Sequence, residues 1–134
     1  MLLIEDVLIA ARTIYGEARG EAMAGKVAVA HVILNRVAKK TWYGKSIRDV
    51  CLKPGQFSCW NDGDPNREKL QAVTLDDGDL QRCLYAVLGA ALGEAPDETG
   101  GSCHYAVAGL NPKWAQGKVP IARIGHHEFW NDIE

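Results

Sequence analysis

Two carboxylates four residues apart are the first residues that could do chemistry. The segment Tyr15-Gly-Glu-Ala-Arg-Gly-Glu21 sets Glu17 and Glu21 at i and i+4, which is one face of a helix. Carboxylates so placed repel, and if either is desolvated its pKa rises. A carboxyl raised toward neutrality can protonate a leaving oxygen, which is what cleavage of a glycosidic bond needs. The plainer alternative makes both of them solvated helix-end acids paired with Arg19 or Lys26, since most glutamates lie at the surface.

The histidines offer a different chemistry. His104, His126 and His127, with Glu128, suggest zinc and hence an EDTA-sensitive amidase or peptidase. The spacing is not His-Glu-x-x-His, and adjacent histidines on a strand point to opposite faces. The reading therefore assigns no metal and no other cofactor. His31, inside an apolar run, is expected to be a satisfied core polar group. Cys51, Cys59, Cys83 and Cys103 form no C-x-x-C pair, which argues against a zinc ribbon or a thioredoxin-type motif. They are expected to be free, partly buried thiols; the even count also permits disulfides in an oxidising compartment.

The elements that must position these groups are mostly helices. Glu5 and Asp6 suit a helix N-terminus, and Val7, Ala10, Ala11 and Ile14 recur on one face. This first helix should end between Gly16 and Gly20, each glycine costing about 1 kcal/mol. A second helix is expected from about Ala22 to Lys39, and its apolar middle, Val27 to Leu34, marks it as buried and central. Ser46 and Asp49 cap a short helix through Leu52. The polar stretch from Lys53 to Arg67 reads as a long functional loop. Leu80, Cys83, Leu84, Val87, Leu88 and Ala91 give a third substantial helix, stopping near Gly93. Beyond it, Ser102 to Val107 and Ile121 to Trp130 are expected to pair as a short hairpin.

The 134 residues fit a single domain spanning 1–134, large enough for one core, and a monomer is expected. The net charge of −2 argues against a nucleic-acid partner, and any attraction to an anionic surface must come from local patches. Glu5 and Asp6 interrupt the N-terminal apolar run, which lacks a basic start and is not a secretory signal. The run from Val27 to Leu34 is too short to insert in a membrane. Synthesis in the cytoplasm is expected.

Taken in order, several segments resemble the spore cortex-lytic (SleB-type) family of cell-wall hydrolases. These are Tyr15–Glu21, Gly25-Lys-Val-Ala-Val-Ala-His-Val-Ile-Leu-Asn-Arg36, Ile47-Arg-Asp-Val-Cys51, Gln56-Phe-Ser58, Trp114 and Ile124-Gly-His-His-Glu-Phe129. The likeness runs from Ala11 to Trp130. It implies a mainly α (α+β), lysozyme-like helical domain with a small β-hairpin near the C-terminus. It implies that Glu17 is the catalytic acid/base and that the partner is the glycan strand of peptidoglycan. The family's characterised members are lytic transglycosylases. They cut between N-acetylmuramic acid and N-acetylglucosamine, the muramic acid's own 6-hydroxyl closing a 1,6-anhydro ring, so no protein nucleophile is needed. A hydrolysing muramidase would need a second carboxylate, and Glu21, Asp49, Asp62 and Asp64 are all available.

The other motif residues take supporting roles in this comparison. Gln56, Phe57 and Ser58 either line the cleft, with Gln56 on an acetamido group, or pack a loop. Trp60 and Trp114 stack on sugars or fill the core. Tyr105 contacts the sugar or positions Glu17. His127 aligns with the family's histidine, in a cleft or hydrogen-bonding role, whereas His126 falls at a variable position. Tyr15, Arg19 and Glu21 support the site, Arg19 holding Glu21 so that Glu17 stays unpaired. Asn35 and Arg36 brace loops. Spore cortex enzymes carry a signal peptide and a peptidoglycan-binding domain, and neither is expected here. The expectation is therefore a phage or prophage endolysin, released through a holin to the wall in the periplasm. A non-catalytic wall-binding or phage structural module of the same fold remains the alternative outside enzymes; a protonatable Glu17 argues against it.

Overall fold

The computed structural model describes residues 2–133. Its helices are α1 (Ile4–Ala18), α2 (Met23–Lys39), α3 (Ile47–Leu52), α4 (Pro65–Ala72) and α5 (Gly78–Ala91). Its strands are β1 (His104–Val107), β2 (Ala122–Ile124) and β3 (His127–Trp130). Single 3-10 turns lie at Ser58–Trp60 and Lys113–Ala115.

Three helices make the core. α1 buries Val7, Ala10, Ala11 and Ile14, the stripe its periodicity predicts. α2 buries Ala28, Val29, Ala30, Val32 and Ile33, and both helices pack on α5. α5 is stopped at its start by Asp77, whose carboxylate accepts from the backbone N–H of Asp79 and Leu80. His31 is bonded to the Ala95 carbonyl at 2.7 Å, a satisfied core polar group. Asn35 donates to Asp97 and to the Ser102 carbonyl, each at 3.0 Å, and Arg36 to the Cys103 carbonyl at 2.8 Å, so both brace the segment leading into β1.

The stretch read as a loop from Lys53 to Arg67 is more ordered than that. It contains the turn at Ser58–Trp60 and the start of α4. Asp64 caps α4 by accepting from the Asn66 N–H at 2.8 Å, and Pro65 occupies its first turn. Only Leu70 of α4 is buried, so the helix had no apolar stripe to betray it. Arg12 ties its C-terminal end to α1, donating to the carbonyls of Leu70 and Val73 at 2.6 and 2.7 Å.

The tail pairs as expected and adds a strand. Its sheet has three antiparallel strands in the order β1-β3-β2. The segment from Ile121 to Trp130 folds back on itself at Gly125-His126, and β3 then pairs with β1, setting Tyr105 opposite Phe129 and Val107 opposite His127. Gly125 has φ +60°, a left-handed conformation that side chains resist. Phe129 packs on Ala28 and Val32, which docks the sheet on α2. All four cysteines are buried free thiols. Among the described residues, no helix is long and apolar enough to cross a membrane.

Candidate active site

Glu17 lies in the last turn of α1, half-buried, at the edge of a cleft of about 600 Å³. The end of α1 can sit here because Gly16 has no side chain: a Cβ there would lie 2.6 Å from the Cβ of Cys59. The loop at Ser58–Trp60 therefore presses directly on the helix backbone. Trp60 locks that contact, its indole N–H donating to the Thr13 hydroxyl at 2.9 Å. Across the cleft, β1 brings in Tyr105, whose hydroxyl donates to Oε1 of Glu17 at 2.8 Å. Burial and the neighbouring Glu17 push the Tyr105 phenol well above its ordinary value, so it stays protonated and remains a donor. One oxygen of Glu17 is thus held by Tyr105.

The walls carry Arg36, Gln56, Ser58 and His104, and the exposed rings of Trp42 and Trp114. Arg36 is buried, its guanidinium 5.2 and 5.0 Å from the ring centres of Tyr43 and Phe57, and it donates to Oε1 of Gln56 at 3.3 Å. His104 packs between Tyr43 and Trp114. Burial, with Arg36 and Lys39 nearby, pushes its imidazole down to about 4, so it is neutral at pH 7. Its Nδ1 is buried with no protein partner.

Glu21 does not line this cleft but an adjoining hollow, which it shares with Glu17 and His127. Its carboxylate is buried and accepts from the backbone N–H of His126 at 2.8 Å and from Nδ1 of His126 at 2.6 Å. Nδ1 of His127 lies 3.0 Å from Oε1, within ion-pair range though not aligned as a hydrogen bond. Burial raises the Glu21 pKa, but the His126 bonds and both imidazoles outweigh it, and the net shift is downward. That corrects two expectations. Glu21 is not a solvated end acid, and the i, i+4 pair does not leave it raised. Nor does Arg19 hold it: that guanidinium donates to the Tyr15 carbonyl at 3.2 Å and to Asn66 at 3.1 Å. Lys26 reaches the backbone carbonyls of Arg19 and Glu21 rather than the carboxylate. The two histidines do not point to opposite faces either, because His126 is in the turn and only His127 is in the strand; both imidazoles meet Glu21.

The structure gathers Glu17, Gln56, Ser58, Tyr105, Trp114 and His127 around one cleft. It does not gather Phe57, which is 2% exposed and packed in the core, where it holds Arg36 rather than facing the cleft. Trp60 is core filler with a bonded N–H. Tyr15 packs against the core with the Arg19 guanidinium 4.6 Å from its ring centre. Trp42 was missed altogether, and its signal was slight: one of two adjacent aromatics, with Tyr43, in a short loop after α2. Arg36 and His104 were noticed for other reasons, as a brace and as a metal ligand. His126 was passed over because its part in the site is a turn geometry that no spacing announces.

Comparison with known proteins matches this arrangement to a family. The cell wall hydrolase family profile covers residues 20–130. The spore cortex-lytic enzyme of Halalkalibacterium halodurans is 36% identical over 131 residues, 94% of this chain, and that of Bacillus cereus is 33% identical over 133 residues, 92% of this chain. The chain spans 34% and 43% of the length of these two relatives. Among solved structures, the catalytic domain of the germination-specific lytic transglycosylase SleB from Bacillus anthracis superposes with a TM-score of 0.74 at 32% identity, covering 96% of this chain and 95% of that one. The catalytic domain of the Bacillus cereus SleB protein gives 0.77 at 30%, covering 96% and 91%. The mainly helical, lysozyme-like fold is shared with both, and the chain belongs to the SleB-type cell wall hydrolases.

Proposed function

We propose that this chain cuts the glycan strands of peptidoglycan as a lytic transglycosylase, with Glu17 as its one acid/base. Glu17 gives its proton to the oxygen leaving C1 of N-acetylmuramic acid. The ionised carboxylate then takes the proton of the 6-hydroxyl as that oxygen bonds to C1. The products are a strand with a new free 4-hydroxyl on N-acetylglucosamine and a 1,6-anhydro end, with no water consumed.

One observation carries the reading: among the described residues, Glu17 is the single carboxylate that lines the main cleft, and Glu21, which shares an adjoining hollow with it, is tied to His126. The four residues available to a muramidase are otherwise engaged. Glu21 is held by the histidines. Asp49 lines a separate groove, Asp62 is an exposed partner of Arg67, and Asp64 caps α4. A direct hydrolysis would need a second carboxylate to activate water or attack carbon. The likeness to the Bacillus anthracis lytic transglycosylase supports the same reading.

Purified protein and its Glu17→Gln variant, incubated with sacculi, should differ by about 10²- to 10⁴-fold in release of soluble fragments. Mass spectrometry of the wild-type products should show ends lighter by one water than hydrolytic ones. Water-added ends would make the enzyme a muramidase, and equal activity in the two proteins would remove Glu17 from the chemistry. We also place its action at the wall. Holin and tail genes beside its own would mark the phage role expected from the sequence; a spore gene neighbourhood would overturn that part.

A further inference from the structure

The cleft does not end at Trp42. That residue, 53% exposed, also forms one wall of a second, shallower groove of about 510 Å³ between the end of α2 and α3. Lys45, Arg48 and Lys53 line this groove, and Asp49 is its only acid among the described residues. Lys53 stands at the join, its ammonium 5.3 Å from the Trp42 ring centre and bonded to the Trp42 carbonyl. Lys45 and Arg48 are exposed, and neither pairs with a carboxylate among the described residues.

The charge here runs against the rest of the chain. Residues 36–53 hold six of the 15 lysines and arginines and one of the 17 acids, in a molecule whose net charge is −2. So local an excess, left unneutralised beside the cleft, attracts anions at short range. A glycan strand is uncharged at its acetamido and hydroxyl groups. Its anionic parts are the carboxylates of the peptide stems carried by muramic acid; where an amidase removes a stem, only a lactyl carboxylate is left, close to the sugar ring and away from the second groove. A strand lying across Glu17 toward Trp42 would present such a stem at the mouth of the second groove.

We propose that this groove is a subsite for a peptide stem, with Lys45 and Arg48 reading its carboxylates. The inference rests on the glycan-cleaving reading, since it takes the strand to lie in the cleft. It makes the enzyme a discriminator between strands that keep their stems and strands that have lost them. Trp42 marks the border, with sugar on one side and peptide on the other.

The test uses binding, so that it does not depend on which residue is the acid. Soluble, uncross-linked glycan strands with their stems, and the same strands stripped by an amidase, would be titrated into Glu17→Gln protein by calorimetry. Stem-bearing strands should bind about tenfold more tightly, and the advantage should shrink as salt rises. Adding Lys45→Glu and Arg48→Glu, both at exposed positions, should bring the two strands level while leaving affinity for stripped strands unchanged. A matching melting temperature would show that the fold is intact. Equal binding of the two strands by the Glu17→Gln protein overturns the stem subsite alone. An equal loss for both strands in the charge-reversed protein also overturns it. Failure to bind either strand overturns the glycan reading along with it.

Discussion

At the scale of single residues, Tyr105 is the group whose removal is most informative. Its hydroxyl holds one oxygen of Glu17, while its ring lies stacked 5.9 Å from Phe129 and edge-on 5.1 Å from His127. Tyr105→Phe keeps both ring contacts and deletes only the hydrogen bond. The turnover rate should fall about tenfold, as expected for a hydrogen bond to a charged group, with KM little changed. A fall in stability without a fall in rate would give Tyr105 a structural role only. Glu21 makes the opposite kind of prediction. The fold favours its ionised form, so its folded pKa lies below the ordinary 4.5. Its contribution to stability is therefore present above 4.5 and is lost as pH falls through the folded value. Glu21→Gln should cost about 1–3 kcal/mol near pH 7 in urea unfolding, and the difference should shrink on acidification below 4.5. Glu17 could be singled out because its neighbours spell a family motif. The part Glu21 plays could not, because its partners come from a turn more than 100 residues away, and a local i, i+4 argument sees only Arg19 and Lys26.

At the scale of elements, the contact between α1 and the Ser58–Trp60 turn decides where Glu17 stands. A methyl at Gly16 would meet Cys59 at 2.6 Å from its Cβ and Leu70 at 2.9 Å from its Cδ2. Gly16→Ala should therefore cost about 1–3 kcal/mol by overpacking, although alanine is the better helix former. Calorimetry should show a lower Tm; a higher one would mean that the turn yields easily. The same contact explains what could be read in advance. α1, α2 and α5 each bury an apolar stripe, and their periodicity declared them. α4 rests on Leu70 alone and is held by Arg12 reaching its last carbonyls, a tertiary support with no local pattern. The tail's β character was legible from its residue types. Its strand order was not, because the choice between one hairpin and two depends on Gly125 turning with positive φ against Glu21.

At the scale of the whole molecule, the thiols report on how closed the core is. Burial pushes Cys51 up to about 12 and Cys83 up to about 11, and raises Cys59 and Cys103 as well. Few thiolates exist at pH 8, and little solvent reaches them. A thiol reagent should modify the native protein slowly and all four cysteines quickly in denaturant. One fast cysteine in the native state would reveal a local opening, and the peptide that carries it would say where.

The bond from Tyr105 to Glu17 joins residues 88 apart, and the clasp of His126 on Glu21 joins residues 105 apart. During synthesis both carboxylates therefore leave the ribosome well before the groups that complete their surroundings. Until the strands dock on α2, the growing chain holds an acid without a cleft. A chain cut short within β3 should therefore lack the assembled cleft.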